Sequence, residues 1–204
     1  MTEPLMNKIA CNNIEIQLAI WEGRGKCVLC IHGITANCKC WDVIAQSIIP
    51  EIKVLAMDLR GRGCSDKPNT GYSIKNHCQD IKALIEKLNL EQIAIMGHSL
   101  GALITLAFAA WYSDLVDRIL LINGAGALSE EQMAKVMEGI KPSLDRLGKI
   151  YPSFEDHLFQ MRKALFLQPR PAAMDAYYRY EIEQVNEGVR SKKNLSILSR
   201  RSII

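Results

Sequence analysis

The sequence predicts an α/β fold in which a mostly parallel sheet is flanked by helices and followed by an all-helical lid. Up to residue 126, short apolar runs typical of buried strands alternate with segments whose apolar residues recur at helical spacing. Strands that alternate with helices form parallel sheets covered on both faces. After that point only helical patterns continue. We therefore expect a core of six strands over residues 1–127, a helical lid over 128–190 and a solvated basic tail over 191–204.

The first half of the predicted core contains three strands and one helix. Residues 14–23 alternate in polarity as a half-buried strand does, and they end at a turn glycine. Residues 27–33 and 53–63 are short apolar runs that each end in glycine, which is typical of buried parallel strands. Between them, residues 41–50 are typical of a helix that Pro50 ends.

The second half of the core contains two helices and two strands. Apolar residues recur at helical spacing over 74–88, and Ser73 is the predicted N-cap. Residues 92–97 are typical of another buried strand. Residues 100–112 are apolar on every face, as in a helix packed inside a protein. Residues 118–126 complete the predicted sheet.

Three helices are predicted for the lid. A capping-box pattern that starts at Ser129 indicates the first helix. Ser153 indicates the start of the second, and Pro171 suits the first turn of the third. The three predicted helices span residues 129–140, 154–166 and 172–185.

Length and charge exclude several classes of protein. At 204 residues the chain is long enough for one core with a lid but short for two independent domains. The net charge is +3, yet five of the 25 basic residues lie from residue 190 onward, which leaves 20 basic against 22 acidic residues in the rest. Because nucleic-acid binding requires basic charge on a folded face, we expect no nucleic-acid partner.

The sequence also predicts a cellular location. No apolar run approaches the roughly 20 residues that a membrane span needs, so no membrane partner is expected. The N-terminal residues lack the basic region and apolar block of a secretory signal. Seven cysteines, an odd number, favour free thiols in a reducing compartment. We therefore expect a cytoplasmic protein.

The cysteines Cys27 and Cys30, followed by Cys38 and Cys40, have a spacing similar to that of zinc ligands. However, residues 27–33 are a predicted strand, and residues three apart on a strand point to opposite faces. Cys27 and Cys30 therefore cannot bind one ion, and no metal site is predicted.

The segment Gly97-His98-Ser99-Leu100-Gly101 fits the pattern G-x-S-x-G between a predicted strand and a predicted helix. In this context the serine lies on a tight turn that projects its hydroxyl into a cleft, and only small residues fit beside it. The helix directs its unpaired N–H groups and positive dipole end at the site, so the Leu100 N–H is placed to stabilise an oxyanion. A phosphate-binding loop would need a Lys-Ser or Lys-Thr pair, which does not follow here.

Together with two further segments, this turn resembles the α/β-hydrolase superfamily in its lidded serine esterase-like branch. Residues 31–41 resemble the family's His-Gly loop after the third strand, and residues 58–68 resemble its loop after the fourth. The resemblance covers about residues 14–190. It implies a serine hydrolase that acts, without a cofactor, on a small carboxylic ester or related acyl compound. Lactonases, thioesterases and carbon–carbon bond hydrolases share the same turn, whereas epoxide hydrolases and haloalkane dehalogenases carry a carboxylate in place of the serine.

The resemblance also implies a role for each residue of the site. Ser99 corresponds to the nucleophile, and the backbone N–H groups of Ile34 and Leu100 correspond to the oxyanion hole. Asp58 and Asp66 correspond to residues that order loops. The residues that support the oxyanion loop and the turn are His32, Gly33, Gly97, His98 and Gly101. The side chain at the variable position before the serine is expected to point away from the hydroxyl.

The acid and the base of the family's triad are missing from their expected places. In the family they follow two further strands after the lid, whereas the last histidine here is His157, and Asn123 stands at the alternative acid position. We therefore expect a C-terminally truncated hydrolase without the last two strands of the family's sheet. The alternatives are that His157 or His77 acts as the base, or that the protein is a non-catalytic binding module. His77 is expected on the surface of its helix.

The last predicted strand has a consequence for self-association. Without a further strand beside it, the apolar segment 118–122 is expected to form an exposed sheet edge. Exposed edges present unpaired backbone groups that pair with other chains. We therefore expect that the protein is able to form a homo-oligomer through this edge.

Overall fold

The structure is a computed structural model that describes residues 2–124, 126, 128–162 and 173–193. Within these residues, a six-stranded sheet forms the centre of the fold. Its strands are β1 (Leu5–Cys11), β2 (Ile14–Trp21), β3 (Cys27–Ile31), β4 (Lys53–Met57), β5 (Ile93–His98) and β6 (Val116–Ile122). Their order is β1-β2-β4-β3-β5-β6; β2 is antiparallel to both of its neighbours, and β4, β3, β5 and β6 are parallel. The predicted α/β fold with a mostly parallel sheet is confirmed.

Helices cover the two faces of the sheet unequally. A 3₁₀ turn (Cys38–Trp41) and α1 (Asp42–Ile48) pack on one face, and α2 (Ile74–Lys87) and α3 (Leu100–Trp111) pack on the other. The Ser73 side chain caps α2 as predicted, by accepting a hydrogen bond from the Asn76 N–H. None of the described helices is both long and apolar enough to cross a membrane.

Two apolar clusters cover the six-stranded sheet, one on each face. Alternate residues of a strand point to opposite faces, so β3 contributes to both clusters. Cys27 packs against the cluster that α2 and α3 cover, whereas Cys30 is buried in the cluster that α1 covers. These two thiols therefore lie on opposite faces of the sheet, as the strand geometry predicts.

The sequence predicts six core strands but its patterns locate only five, and β1 is the strand that they do not locate. It pairs along its whole length with β2, yet most of its side chains are exposed or half-buried. An exposed edge strand needs no apolar alternation, so its sequence carries no strand signal. The predicted strand over 53–63 is also shorter than expected, because β4 ends at Met57 and the residues after it form a loop.

The strand β6 forms the opposite edge of the sheet in the described part of the chain. Leu120 is 52% exposed and Ile119 is 37% exposed, which agrees with the predicted apolar edge. A groove of about 370 Å³ lies beside this edge, on the face that α1 covers only in part. Apolar groove-lining residues include Ile48, Ile52, Ala94, Met96 and Leu120. The sheet thus presents an apolar surface at this side.

The residues 128–193, which we call the C-terminal segment, are not all helical as predicted. They contain α4 (Glu130–Asp145), α5 (Phe154–Arg162) and α6 (Ala173–Glu181), but also a small antiparallel sheet. The three strands of that sheet are β7 (Ile150–Tyr151), β8 (Ile182–Val185) and β9 (Gly188–Ser191).

The third predicted helix, over 172–185, therefore ends early. α6 stops at Glu181, and the following residues turn back as a β-hairpin. At the start of β9, Gly188 has φ 137°, and a methyl group there would collide with the Tyr151 carbonyl. The capping box at Ser129 is confirmed, and the helix that it begins continues beyond residue 140.

The predicted tail over 191–204 begins too early. Ser191 is the last residue of β9, and Lys193 is buried with its ammonium group against the Glu181 carboxylate at 3.0 Å. A buried ion pair of this kind holds the chain in the fold, which a count of basic residues cannot show. Residues 194–204, together with Pro171 and residues 163–166 of the second predicted helix, lie outside the described residues.

Candidate active site

Ser99 occupies the turn between β5 and α3. Its backbone has φ 54° and ψ −117°, a conformation that L-residues rarely adopt and that costs about 1–3 kcal/mol. Its N–H donates to the Ile122 carbonyl at 3.0 Å, and its own carbonyl accepts from the Ala102 N–H at 2.9 Å. Serine at the start of a helix usually caps it, but the Ser99 side chain makes no capping hydrogen bond. The hydroxyl is therefore not used to stabilise α3.

The glycines around Ser99 are required by close backbone contacts. A methyl group at Gly97 would collide with the Gly101 carbonyl, and a methyl group at Gly101 would collide with the Ile31 carbonyl. A methyl group at Gly124, just after β6, would lie 2.8 Å from the Ser99 carbonyl oxygen. The strand, the turn and the helix thus approach each other so closely that larger residues would displace the serine.

The loop formed by residues 32–36 lies beside the turn. A methyl group at Gly33 would lie 3.2 Å from the Ser99 Cβ atom and 3.1 Å from the His98 Nδ1 atom. The same loop forms a tight turn in which the Ala36 N–H donates to the Gly33 carbonyl at 3.1 Å. The structure therefore brings Gly33, His98 and Ser99 together.

Two buried backbone N–H groups belong to this region. Ile34 and Leu100 are each less than 10% exposed, and neither N–H has a hydrogen-bond acceptor among the described residues. Leu100 is the first residue of α3, where the helix N-terminus leaves N–H groups unpaired and carries partial positive charge. Buried N–H groups are nearly always paired, so these two are exceptions within the described residues.

His32 is held in one protonation state by its two neighbours. Its Nδ1 donates to the Gly33 carbonyl at 2.7 Å, and its Nε2 accepts from the Leu59 N–H at 3.1 Å. These partners assign the neutral imidazole with its proton on Nδ1. Burial also lowers the pKa of His32 to about 3. His32 therefore orients the loop and is unsuited to accept a proton.

The Asp58 carboxylate joins three parts of the chain. It is fully buried and accepts hydrogen bonds from the Cys38 N–H at 2.7 Å, the Cys64 N–H at 2.8 Å and the Tyr180 hydroxyl at 2.6 Å. Asp66 similarly accepts from the Glu15 N–H at 2.8 Å. Both carboxylates are used to hold loops in place.

His98 and His157 are the next two candidates for a base. His98 is half-buried, and its ring lies against the 32–36 loop. His157 is buried in an aromatic cluster, with its ring 5.0 Å from that of Tyr151 and 5.8 Å from that of Tyr178. Burial lowers the pKa of both histidines. Neither ring forms a hydrogen bond with Ser99 in the described structure.

His77 does not lie on the surface of its helix as expected. It is 1% exposed, because it shares the inner face of α2 with Ile81 and Leu84 at helical spacing. Burial, together with nearby arginines, lowers its pKa well below the usual value. Asn123 follows β6 at φ 48° and is exposed.

The structure also reveals a buried charge cluster that the sequence motifs do not include. The Glu181 carboxylate pairs with Arg146 at 2.7 Å and with Lys193 at 3.0 Å. Both cations also donate to the Thr35 carbonyl, Arg146 at 3.2 Å, and the Tyr177 hydroxyl lies 3.5 Å from it. Burial lowers the pKa of Lys193 to about 8; burial alone would raise the pKa of Glu181, but the two cations keep it below its usual value. These residues lie far apart in the sequence, and no local pattern predicts their contact.

The chain matches the model of the family described as "alpha/beta hydrolase fold" over residues 26–185. Among curated proteins, it is 30% identical over 185 residues to 2-(acetamidomethylene)succinate hydrolase of Mesorhizobium japonicum, a match that covers 83% of this chain and 65% of that enzyme. It is also 35% identical over 108 residues to an uncharacterized protein of Mycobacterium tuberculosis, covering 53% of this chain and 32% of that protein. The chain thus spans less than two thirds of the length of these curated relatives.

Solved structures show the same fold. The crystal structure of E-2-(acetamidomethylene)succinate hydrolase superposes with a TM-score of 0.86 at 22% identity and covers 98% of this chain and 72% of that chain. The thioesterase domain from the curacin biosynthetic pathway superposes with a TM-score of 0.76 at 22% identity, covering 98% and 73%. At these identities the likeness shows the architecture alone.

Proposed function

Because the chain belongs to the alpha/beta hydrolase fold family, we propose that it provides the nucleophile and oxyanion hole of a serine hydrolase that cleaves small carboxylic esters or related acyl compounds. The observation that carries this proposal is the backbone of Ser99. A non-glycine residue at φ 54° is strained, and such strain is concentrated at functional sites. The Ser99 hydroxyl does not cap its helix, and the next residue, Leu100, has an N–H without an acceptor among the described residues. The loop that contains Ile34 lies against the same turn.

In this reaction the Ser99 oxygen attacks the carbonyl carbon of the ester. The N–H groups of Ile34 and Leu100 stabilise the negative charge that forms on the carbonyl oxygen. The tetrahedral intermediate then expels the alcohol and leaves an acyl group on Ser99. Water cleaves that acyl group to a carboxylic acid and restores the serine. No cofactor takes part in these steps.

The general base is the part of the machinery that this chain does not supply in the described arrangement. The sequence contains four histidines, and none of them forms a hydrogen bond with Ser99. A serine hydroxyl is a weak nucleophile until a base accepts its proton. We therefore expect that polypeptide outside this sequence supplies the acid and the base. The C-terminal segment serves as the lid of the site, since three of its side chains contact the Thr35 carbonyl.

The alternative is a non-catalytic binding module, which the same absence of a base on Ser99 favours. A fluorophosphonate probe separates the two functions, because its phosphoryl oxygen would occupy the oxyanion hole when Ser99 reacts. We expect slow, stoichiometric labelling of Ser99, since an oxyanion hole without its triad retains about 10³–10⁴-fold catalysis over water. Ser99→Ala should abolish labelling, whereas Ser113→Ala, in a short turn after α3, should not change it. Labelling of Ser99 no faster than that of Ser113 would favour the binding module.

A further inference from the structure

The Thr35 carbonyl is an unusual point of contact between the core and the C-terminal segment. Three side chains converge on this one oxygen, from the end of α4 (Arg146), from α6 (Tyr177) and from the residues after β9 (Lys193). A carbonyl oxygen has two lone pairs, so the two cations are the principal donors. Thr35 itself lies next to Ile34, whose N–H we place in the oxyanion hole.

Two planar peptide units connect these donors to the Ile34 N–H. The Thr35 carbonyl shares its peptide plane with the Ala36 N–H, and the Ala36 N–H donates to the Gly33 carbonyl at 3.1 Å. The Gly33 carbonyl in turn shares its plane with the Ile34 N–H. The carbonyl and the N–H of a trans peptide point in opposite directions within one plane. A donor that holds the carbonyl therefore also fixes the direction of the N–H.

Hydrogen bonds in such a chain also strengthen one another. A positive donor on a carbonyl polarises the peptide, so that its N–H becomes a better donor, and the effect is larger in a buried site. The cluster is well placed for this, because the Lys193 and Glu181 side chains are each 1% exposed and that of Arg146 is 10% exposed. One carboxylate balances two cations, so positive charge remains beside Thr35.

We propose that Arg146 and Lys193 are positioning residues for the oxyanion hole, which they orient and polarise through the Thr35–Ala36 and Gly33–Ile34 peptides. This inference rests on the proposed function, and it adds a role for the C-terminal segment beyond covering the site. Neither cation touches the substrate. Their effect reaches the reacting oxygen only through the Ile34 N–H.

The test replaces Lys193 by Met, which removes the charge and keeps the length of the side chain. Fluorophosphonate labelling of Ser99 should become about three- to ten-fold slower, well below the roughly 10²–10³-fold cost of losing an oxyanion donor itself. In NMR spectra, the Ile34 and Ala36 amide protons should shift upfield, because both N–H groups become less polarised when the charged donor to Thr35 is lost. Lys193→Arg, which restores a charged donor, should recover both the rate and the shifts.

Lys192→Met is the matched control, because the neighbouring ammonium group donates to the Tyr180 carbonyl at 2.8 Å rather than to Thr35. It should leave the labelling rate and both amide shifts unchanged. If Lys193→Met does not fold, Tyr177→Phe removes a donor without any change in charge, and a smaller shift of the same sign is expected.

The two readouts separate failure of this inference from failure of the proposed function. If Ser99 is not labelled in the unaltered protein, the proposed function fails, and the amide shifts still decide whether the peptides are coupled. If Ser99 is labelled but Lys193→Met behaves as Lys192→Met does in both rate and amide shifts, the proposed effect of Lys193 on the oxyanion hole is wrong. A residue that only stabilised the fold would lower the resistance to urea and leave those shifts unchanged.

Discussion

The Tyr180 hydroxyl donates to the Asp58 carboxylate at 2.6 Å and thereby joins α6 to the loop after β4. Asp58 is fully buried, and its other partners are the N–H groups of Cys38 and Cys64. Burial raises the pKa of Asp58, while these donors favour its charged form. The tyrosine therefore supports the same loops that surround the candidate site.

Tyr180→Phe should lower the free energy of unfolding by about 1–3 kcal/mol, because a buried carboxylate loses one of its donors. Urea unfolding followed by circular dichroism measures this change. Tyr112→Phe is a suitable control for loss of a phenol hydroxyl, since Tyr112 packs on Phe108 at 5.0 Å, away from Asp58. Equal stability of Tyr180→Phe and the unaltered protein would mean that the hydrogen bond to Asp58 contributes nothing.

Gly101→Ala should destabilise the protein by about 1–3 kcal/mol or more, because the added methyl group collides with the Ile31 backbone. Gly139→Ala is the matched control on an exposed part of α4, where no atom lies within 4 Å of the added methyl group. The free energy of unfolding of that variant should rise by about 0.5–1 kcal/mol, since alanine loses less backbone entropy in a helix than glycine does. Thermal unfolding of the two variants should thus move in opposite directions. A neutral Gly101→Ala would show that helix and strand are not in close contact at this turn.

The sequence predicted the parts of the fold that depend on local patterns. Buried parallel strands are continuous apolar runs, so β3 and β5 were recognisable, and the serine turn was recognisable from its two glycines. Capping boxes at Ser73 and Ser129 are formed within a few residues of the chain. Each of these features is decided by residues close together in sequence.

The features that the sequence did not predict depend on distant partners. The hairpin after Glu181 forms because β9 pairs with both β7 and β8. The burial of Lys193 depends on Glu181 and Arg146, and the burial of His77 depends on which face of α2 meets the core. Basic and polar residues are usually exposed, so local composition alone predicts that Lys193 and His77 lie on the surface.

The pH dependence of stability should carry a signature of His32. Its pKa is about 3 in the fold and about 6.5 in an unfolded chain, so the unfolded state binds the extra proton between these values. Its contribution to stability is therefore complete above pH 6.5 and decreases as the pH falls towards 3. The slope approaches about 1.4 kcal/mol per pH unit well below pH 6.5.

Two measurements check this expectation. Urea unfolding at a series of pH values measures this slope. As the pH falls, the free energy of unfolding should decrease less steeply in His32→Gln than in the unaltered protein, because glutamine does not titrate. The His32 ring resonances should not move between pH 8 and pH 5. A titration of this ring near pH 6.5 would contradict the neutral, doubly hydrogen-bonded imidazole.

The β6 edge should promote self-association. Leu120 is 52% exposed on a strand that pairs with β5 on one side and has no partner strand on the other side among the described residues. It lies next to the apolar groove that includes Met96. An exposed apolar edge strand is a site for pairing between chains, and a lysine on such an edge opposes it. We propose that two copies associate here, so that light scattering detects a mass above that of the 22.9 kDa chain as the concentration rises. Leu120→Lys should reduce that mass towards the monomer.

Leu106→Lys is the control, because it removes an apolar side chain of 41% exposure from α3 instead of the edge, and it should leave association unchanged. If both lysine variants reduce association equally, general surface hydrophobicity rather than strand pairing is the cause.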